Sequence, residues 1–256
     1  MSEAPFMDRV VHHALHRKLE PLIDPLLSDS VFACRKGKGN RNAALALLSF
    51  LQTIGSERFA IKIDVSKYFN SIDHRVLKNS LIQVLPDSSI NGITDSLLES
   101  DQKFSETKMG IPTGNLTSQL FANFYLKPVD EIALKALECP YYWKEKDQNS
   151  DTFYIRYMDD IVLVGRNKGK VLDAVDLTIG YAIDKLKLNI PIRKRMPLGK
   201  DPIPFLGYVL NHDGYKILSR NKRRYKNKIK LLEKKKKSPS SIAQVKTSFE
   251  AWSVLL

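Results

Sequence analysis

Cysteine is almost missing from this chain. Cys34 and Cys139 are the only two and form no C-x-x-C pair. That excludes a cysteine-based zinc site and fits a reducing cytosol. No stretch approaches the roughly 20 consecutive apolar residues of a membrane span. The opening MSEAPFMDRVVHHAL carries acids and histidines in place of the apolar region of a signal peptide. The pattern G-x-x-x-x-G-K-[ST] does not occur, so there is no P-loop, and no internal repeat is evident. What remains is 256 residues with 43% apolar and 27% charged side chains. This is the composition of a soluble globular protein able to bury a substantial core, as one large domain or two to three subdomains.

Charge is abundant but unevenly placed. Of the net +13, residues 181–256 contribute 19 Lys and Arg against 5 Asp and Glu, while the first 180 residues are close to neutral. A near-neutral body with a basic last third suits a polyanionic partner. A solvated tail, an acidic membrane surface or ribosomal RNA would fit the charge equally well.

The chain is organised around residues 153–165, FYIRYMDDIVLVG. Two runs of β-formers flank a short polar break, which predicts a hairpin with Asp159 and Asp160 at its turn. Adjacent acids there either repel or share a cation, and hard oxygen ligands suit Mg²⁺. An ordinary solvated turn is the alternative, since Asp favours turns for its own backbone bonding.

Other segments fall into place around it. Residues 7–27 predict a helix ended by Pro21 and Pro25. His12 and His16 stand four apart on it, but without the Glu of a zinc-hydrolase helix they read as surface or packed histidines. Arg35, Lys36 and Lys38, with Gly37 and Gly39 between them, form a cationic loop before the apolar helix AALALLSFLQTI. RFAIKID predicts a buried strand ending in Asp64, and helix begins near His74, breaking at 86–89. KMGIPTGNLTSQ is a loop whose end opens a helix through LFANFYLKPVDEIALKAL, and 141–152 is a polar connection. Leu172, Val175, Ile179, Ile183 and Leu186 predict a helix face. IPFLGYVL predicts one short strand, with a turn at 211–214 and YKIL as its partner. Residues 219–237 predict a basic helix with Tyr225, Ile229 and Leu232 as its apolar stripe.

A strand-end Asp64, a hairpin Asp159–Asp160 about a hundred residues later and basic loops on both sides suit two-metal phosphoryl transfer. At this point the chain resembles the reverse transcriptases, over residues 8–210. YMDD after FYIR resembles their active-site hairpin, KIDVSKYFNSIDH their first catalytic segment and FLGYVL their palm-to-thumb strand. DRVVHHAL, ACRKGKG and above all GIPTGNLTSQ resemble the bacterial members found in diversity-generating retroelements. Antiphage-defence reverse transcriptases share parts of these motifs.

The resemblance implies an α+β right-hand polymerase. Residues 1–57, with 76–108, would be fingers, 58–214 a palm with an antiparallel sheet, and 215–256 a short basic thumb. Asp64, Asp159 and Asp160 would be catalytic and hold two Mg²⁺ ions, with Mn²⁺ as a substitute. Phe69 would exclude a ribose 2′-hydroxyl. Arg35, Lys36 and Lys38 would neutralise the triphosphate of a dNTP. Thr113, Gly114, Asn115, Ser118 and Gln119 would lie beside the nascent base pair, with Thr113 where other reverse transcriptases usually carry Gln. Lys194 would donate a proton to pyrophosphate. Arg220, Arg223, Arg224, Lys226 and Lys230 would hold nucleic acid.

The implied function is error-prone synthesis of DNA on a template-repeat RNA, from a primer or cDNA end. A small basic accessory protein or another subunit would assist, in the cytoplasm of a bacterium or under a phage's direction, with no membrane. Antiphage defence on a dedicated noncoding RNA is one alternative. An RNA-binding scaffold with a vestigial site is another, which three clustered carboxylates argue against. The chain begins close to DRVVHHAL and has few residues after FLGYVL, two departures from the family pattern that bear on processivity.

Overall fold

A computed structural model describes residues 6–85, 92, 96, 98, 106–139, 150–235 and 238–255. Residues 141–149 of the predicted connection 141–152, and most of the helix predicted from the break at 86–89 to Leu98, lie outside the described residues.

The centre is a four-stranded sheet in the order β2-β3-β1-β4, antiparallel throughout. Its strands are β1 (Phe59–Asp64), β2 (Thr152–Tyr157), β3 (Asp160–Gly165) and β4 (Arg195–Gly199). Alternation along β1 sends Ile61 and Ile63 to one face and Ala60 to the other. β2 and β3 are buried on both sides, which explains the apolar runs Phe153–Ile155 and Ile161–Val164.

Helices cover one face of the sheet. They are α1 (Phe6–Ile23), α3 (His74–Ile82), α4 (Leu116–Tyr125), α5 (Lys127–Leu137) and α6 (Lys168–Asp184). On the other face lie α2 (Asn40–Ile54) and a second sheet of β5 (Ile203–Phe205), β6 (Tyr208–Asn211) and β7 (Gly214–Ile217). Two helices follow, the strongly basic α7 (Ser219–Lys234) and α8 (Pro239–Ser253), joined by a Tyr225–Phe249 stack at 3.9 Å. After α8 the chain returns to bury Leu255 against α2, its N–H donating to the Tyr215 hydroxyl at 2.9 Å.

Several boundaries differ from expectation. α1 runs past Pro21, which occupies the last turn, and His12 packs inside by bonding Thr117 Oγ1 at 2.6 Å. The expected single helix from residue 120 is two helices hinged at Leu126, because Pro128 at the start of α5 cannot continue the ladder. On α6 the buried stripe is Val171, Ala174, Val175, Thr178, Ile179 and Ala182, leaving Leu172 and Ile183 outward. IPFLGYVL is a hairpin and not one strand. Leu206 and Gly207 both take positive φ, +49° and +94°, the combination that a two-residue turn needs. The partner strand β7 and the apolar stripe of α7 stand where they were expected. Helix α8 was not anticipated.

Candidate active site

Antiparallel pairing sets the geometry. β1 runs against β3 with Asp64 directly opposite Asp160, so the two side chains leave the same face at the same end of the sheet. Tyr157 pairs with Asp160, so the turn is Met158–Asp159, one residue earlier than expected, and Asp160 already belongs to β3. Asp159 stands on the turn itself. The register thus brings the three predicted carboxylates to one sheet end.

Like charges at close quarters have to be answered. Lys62, two residues before Asp64 and so on its face, reaches Asp160 Oδ1 with Nζ at 2.7 Å. The same Nζ donates to the Pro204 carbonyl of β5 at 2.9 Å. Lys194, on a short turn at Ile192–Lys194, pairs with Asp64. Among the described residues Asp159 has no such lysine partner. Burial, with the nearby charges of Asp64 and Asp160, raises its carboxyl pKa to about 6. Burial also raises Asp160, partly offset by Lys62.

This donor set, three carboxylates without thiol or imidazole, suits a hard divalent cation. Among the described residues no three His, Cys, Asp or Glu side chains stand close enough together to hold an ion as they are. Two of the three carboxylates are instead engaged by lysine, and an incoming ion would exchange with those ammonium groups.

Phe69 lies on a short turn (Tyr68–Ser71) that follows β1, half-buried against the helical core. Its carbonyl accepts from Ile111 N at 2.8 Å, and Ile72 O accepts from Gly110 N at 2.7 Å. The segment after Asp64 is thereby tied to the loop bearing Thr113 and Gly114, both exposed, with Gly114 at φ +107°. Ser118 is buried inside α4, while Asn115 and Gln119 are half-buried at its start. The bonds from Ile111 and Gly110 hold the turn that bears Phe69 to the start of that loop.

The basic loop is a correction in part. Arg35 donates from Nε to Asp24 Oδ1 at 2.6 Å and from Nη1 to the Ser28 and Val31 carbonyls at 2.6 and 3.1 Å. Its Nη2 donates to Asp24 O and Oδ2 at 3.1 and 3.2 Å. All five donors are taken, so Arg35 here closes the loop and presents none to a triphosphate. Lys38 bonds Asp29 and lies 4.6 Å over the Phe32 ring. Lys36 is the exposed one, 3.4 Å from Glu20. Arg220, Arg223, Arg224, Lys226 and Lys230 sit on α7, all exposed, and Arg224 lines the groove with α8 beside Tyr225 and Phe249.

Two features were missed. Lys62 and Arg156 are lone charges inside strand patterns, FAIKID and FYIRY, and such residues are rarely buried unless paired. That rule was the available signal. Arg156 is fully buried on Asp130.

The pattern of the reverse transcriptase (RNA-dependent DNA polymerase) family matches residues 1–210, and the chain belongs to that family. It is 23% identical to protein YkfC of Escherichia coli over 230 residues, 79% of this chain and 60% of YkfC. Over 134 residues it is 25% identical to the group II intron-encoded protein LtrA of Lactococcus lactis, 51% of this chain and 22% of LtrA. Among solved structures, apo telomerase of Candida tropicalis superposes with a TM-score of 0.57 at 15% identity, over 82% of this chain and 44% of that one. Telomerase of Candida albicans with a fragment of telomeric RNA gives 0.57 at 14%, over 82% of this chain and 37% of that one. At such identities the likeness is one of fold, the α+β right-hand polymerase. The chain spans about three-fifths of YkfC and less of the others. Among the described residues no helix is long and apolar enough to cross a membrane.

Proposed function

We propose that this chain is an RNA-directed DNA polymerase that extends a primer or cDNA end with dNTPs. The observation that carries the reading is the register that sets Asp64 opposite Asp160, with Asp159 on the adjoining turn. In this reading residues 1–57 and 76–108 are fingers, 58–214 the palm and 215–256 a short thumb.

Asp64 and Asp159 would hold two Mg²⁺ ions, with Asp160 as the third carboxylate. When bound, the ions supply Lewis acidity to the attacking hydroxyl and the leaving pyrophosphate. The residues of the chain do the rest. The carboxylates fix the distance between the reacting oxygens, which turns a bimolecular encounter into an oriented one. Phe69 closes the space under C2′, where an added hydroxyl meets a ring and no partner. Lys194, already beside Asp64, is placed to give a proton to the departing pyrophosphate. Lys36 is the candidate for a first contact with the triphosphate. The exposed face of α7 tracks the nucleic acid backbone.

The biological setting follows from the sequence motifs. GIPTGNLTSQ, ACRKGKG and DRVVHHAL favour a diversity-generating retroelement in which a template-repeat RNA is copied with errors, in the bacterial cytoplasm and with a small basic accessory protein. Purified protein, a primed RNA and labelled dNTPs test the activity, and the absence of Mg²⁺-dependent extension rejects it. Neighbouring genes test the setting, where a target gene with a variable repeat and its invariant copy are expected.

A further inference from the structure

Arg156 has no exposed surface at all, and the polymerase reading gives it no task. It lies on β2 just before the catalytic turn, between Ile155 and Tyr157. A guanidinium sealed from water persists only when paired and hydrogen-bonded throughout. Here Nε donates to Asp130 Oδ1 at 2.6 Å and Nη2 to Asp130 Oδ2 at 2.7 Å. Nη2 also donates to Asn123 O at 3.1 Å, and Nη1 to Asn123 Oδ1 at 3.3 Å and to Met158 O at 3.2 Å. Burial opposes the charge, and Asp130 more than offsets it. Asp130 is held in turn by the Tyr154 hydroxyl at 2.6 Å, and Asn123 donates to Ala33 O at 2.7 Å.

The backbone of Arg156 is engaged as well. Its N–H donates to Ser30 O at 2.9 Å, and its carbonyl accepts from Phe32 N at 3.0 Å. One residue therefore joins α4, α5, the 30–32 segment that leads into the basic loop, and the turn that carries Asp159. The contact to the turn is the informative one. Met158 sits at φ +53°, in the left-handed region that residues other than glycine avoid. Such a conformation persists only where its surroundings over-determine it. A Leu or Met would fill the same space without the cost of burying a charge, so packing alone gives no reason for arginine here.

We propose that Arg156 is a positioning residue of the polymerase site. By holding the Met158 carbonyl it fixes the turn so that Asp159 meets Asp64 and Asp160, and by its paired backbone it keeps the basic loop in register with that turn. The inference rests on the polymerase reading of the three carboxylates.

Arg156→Lys tests it. Lysine keeps a charge against Asp130, but one ammonium cannot serve Asp130, Asn123 and Met158 together. The readouts are Mn²⁺ binding by electron paramagnetic resonance, the Mg²⁺ half-saturation and turnover of dNTP incorporation, RNA affinity and the melting temperature. The expected result is Mn²⁺ binding and Mg²⁺ half-saturation weakened about fivefold or more, and turnover lowered about tenfold to a hundredfold, the effect of a small misplacement. RNA affinity stays at the wild-type value. Tyr154→Phe, which removes a bond to Asp130 and leaves the one to Met158, binds Mn²⁺ like the wild type. Should Arg156→Lys fail to fold, the neutral pair Arg156→Gln with Asp130→Asn replaces it, with the same weakening expected. A purely structural role lowers the melting temperature while metal binding and half-saturation stay at wild-type values, and that outcome overturns the inference. A wild type that binds no Mn²⁺ overturns the polymerase reading and this inference together; unchanged binding in the Arg156 variants overturns the inference alone.

Discussion

Replacing Asp159 by Asn should stabilise the metal-free protein. The Asp159 carboxyl has a pKa of about 6 in the fold, against 3.8 when exposed, because it is buried beside Asp64 and Asp160. The folded state therefore disfavours the charged form by at most about 3 kcal/mol at pH 8. Water reaching the open side of the site reduces this to about 1–2 kcal/mol. Since the folded pKa lies above the unfolded one, the cost is absent below about pH 4 and grows as the pH rises through about 6. Asparagine keeps the shape and removes the charge. Melting followed by circular dichroism in EDTA should show Asp159→Asn higher by about 3–6 °C at pH 8, a gain that shrinks towards pH 4. Added Mg²⁺ should reverse the order, because it binds the folded wild type and not the variant. Equal melting temperatures at pH 8, or a gain that is the same at pH 4 and pH 8, would refute the reasoning.

Three further outcomes are expected. Phe69→Ala should narrow dNTP-over-rNTP selectivity by about tenfold or more with little loss of dNTP use, and unchanged selectivity in single-nucleotide kinetics returns Phe69 to the core that it partly joins. Neutralising Arg223, Arg224, Lys226 and Lys230 should flatten the slope of log RNA affinity against log salt by about three units; an unchanged slope means that α7 faces a protein. Thr113→Gln should lower misincorporation several-fold in cDNA copied from a defined RNA, since each regained contact is worth on the order of 1 kcal/mol against a mispair. Accurate copying by the wild type would remove the basis of that expectation and of the retroelement setting.

How much of this was legible depended on whether the information was local. The hairpin could be read because two runs of β-formers flank a polar break, and β1 because its apolar run ends on a carboxylate. The turn was misplaced by one residue because Met158 carries no local signal for positive φ, and its carbonyl accepts a bond from the Arg156 side chain that the sequence does not announce. The hairpin within IPFLGYVL was hidden for a related reason. Leu206 is an uncommon residue for a left-handed position, and only Gly207 hints at a turn. Arg35 was assigned from a motif, and its partner Asp24 lies across a helix end that spacing alone does not bring near. Lys62 and Lys194 illustrate the same limit. Strand alternation puts Lys62 on the face of Asp64, but only the register between β1 and β3 shows that Asp160 is what it reaches.

The central claim is that these three carboxylates run metal-dependent polymerisation on RNA. Extension of a primed RNA template by wild type and Asp159→Ala, in Mg²⁺ and with RNA binding measured in parallel, addresses it most directly. The account predicts that the wild type extends the primer and that the substitution abolishes extension while RNA affinity holds, because binding rests on α7, and chemistry on charge stabilisation worth several kcal/mol. Turnover of Asp159→Ala within tenfold of the wild type would contradict it.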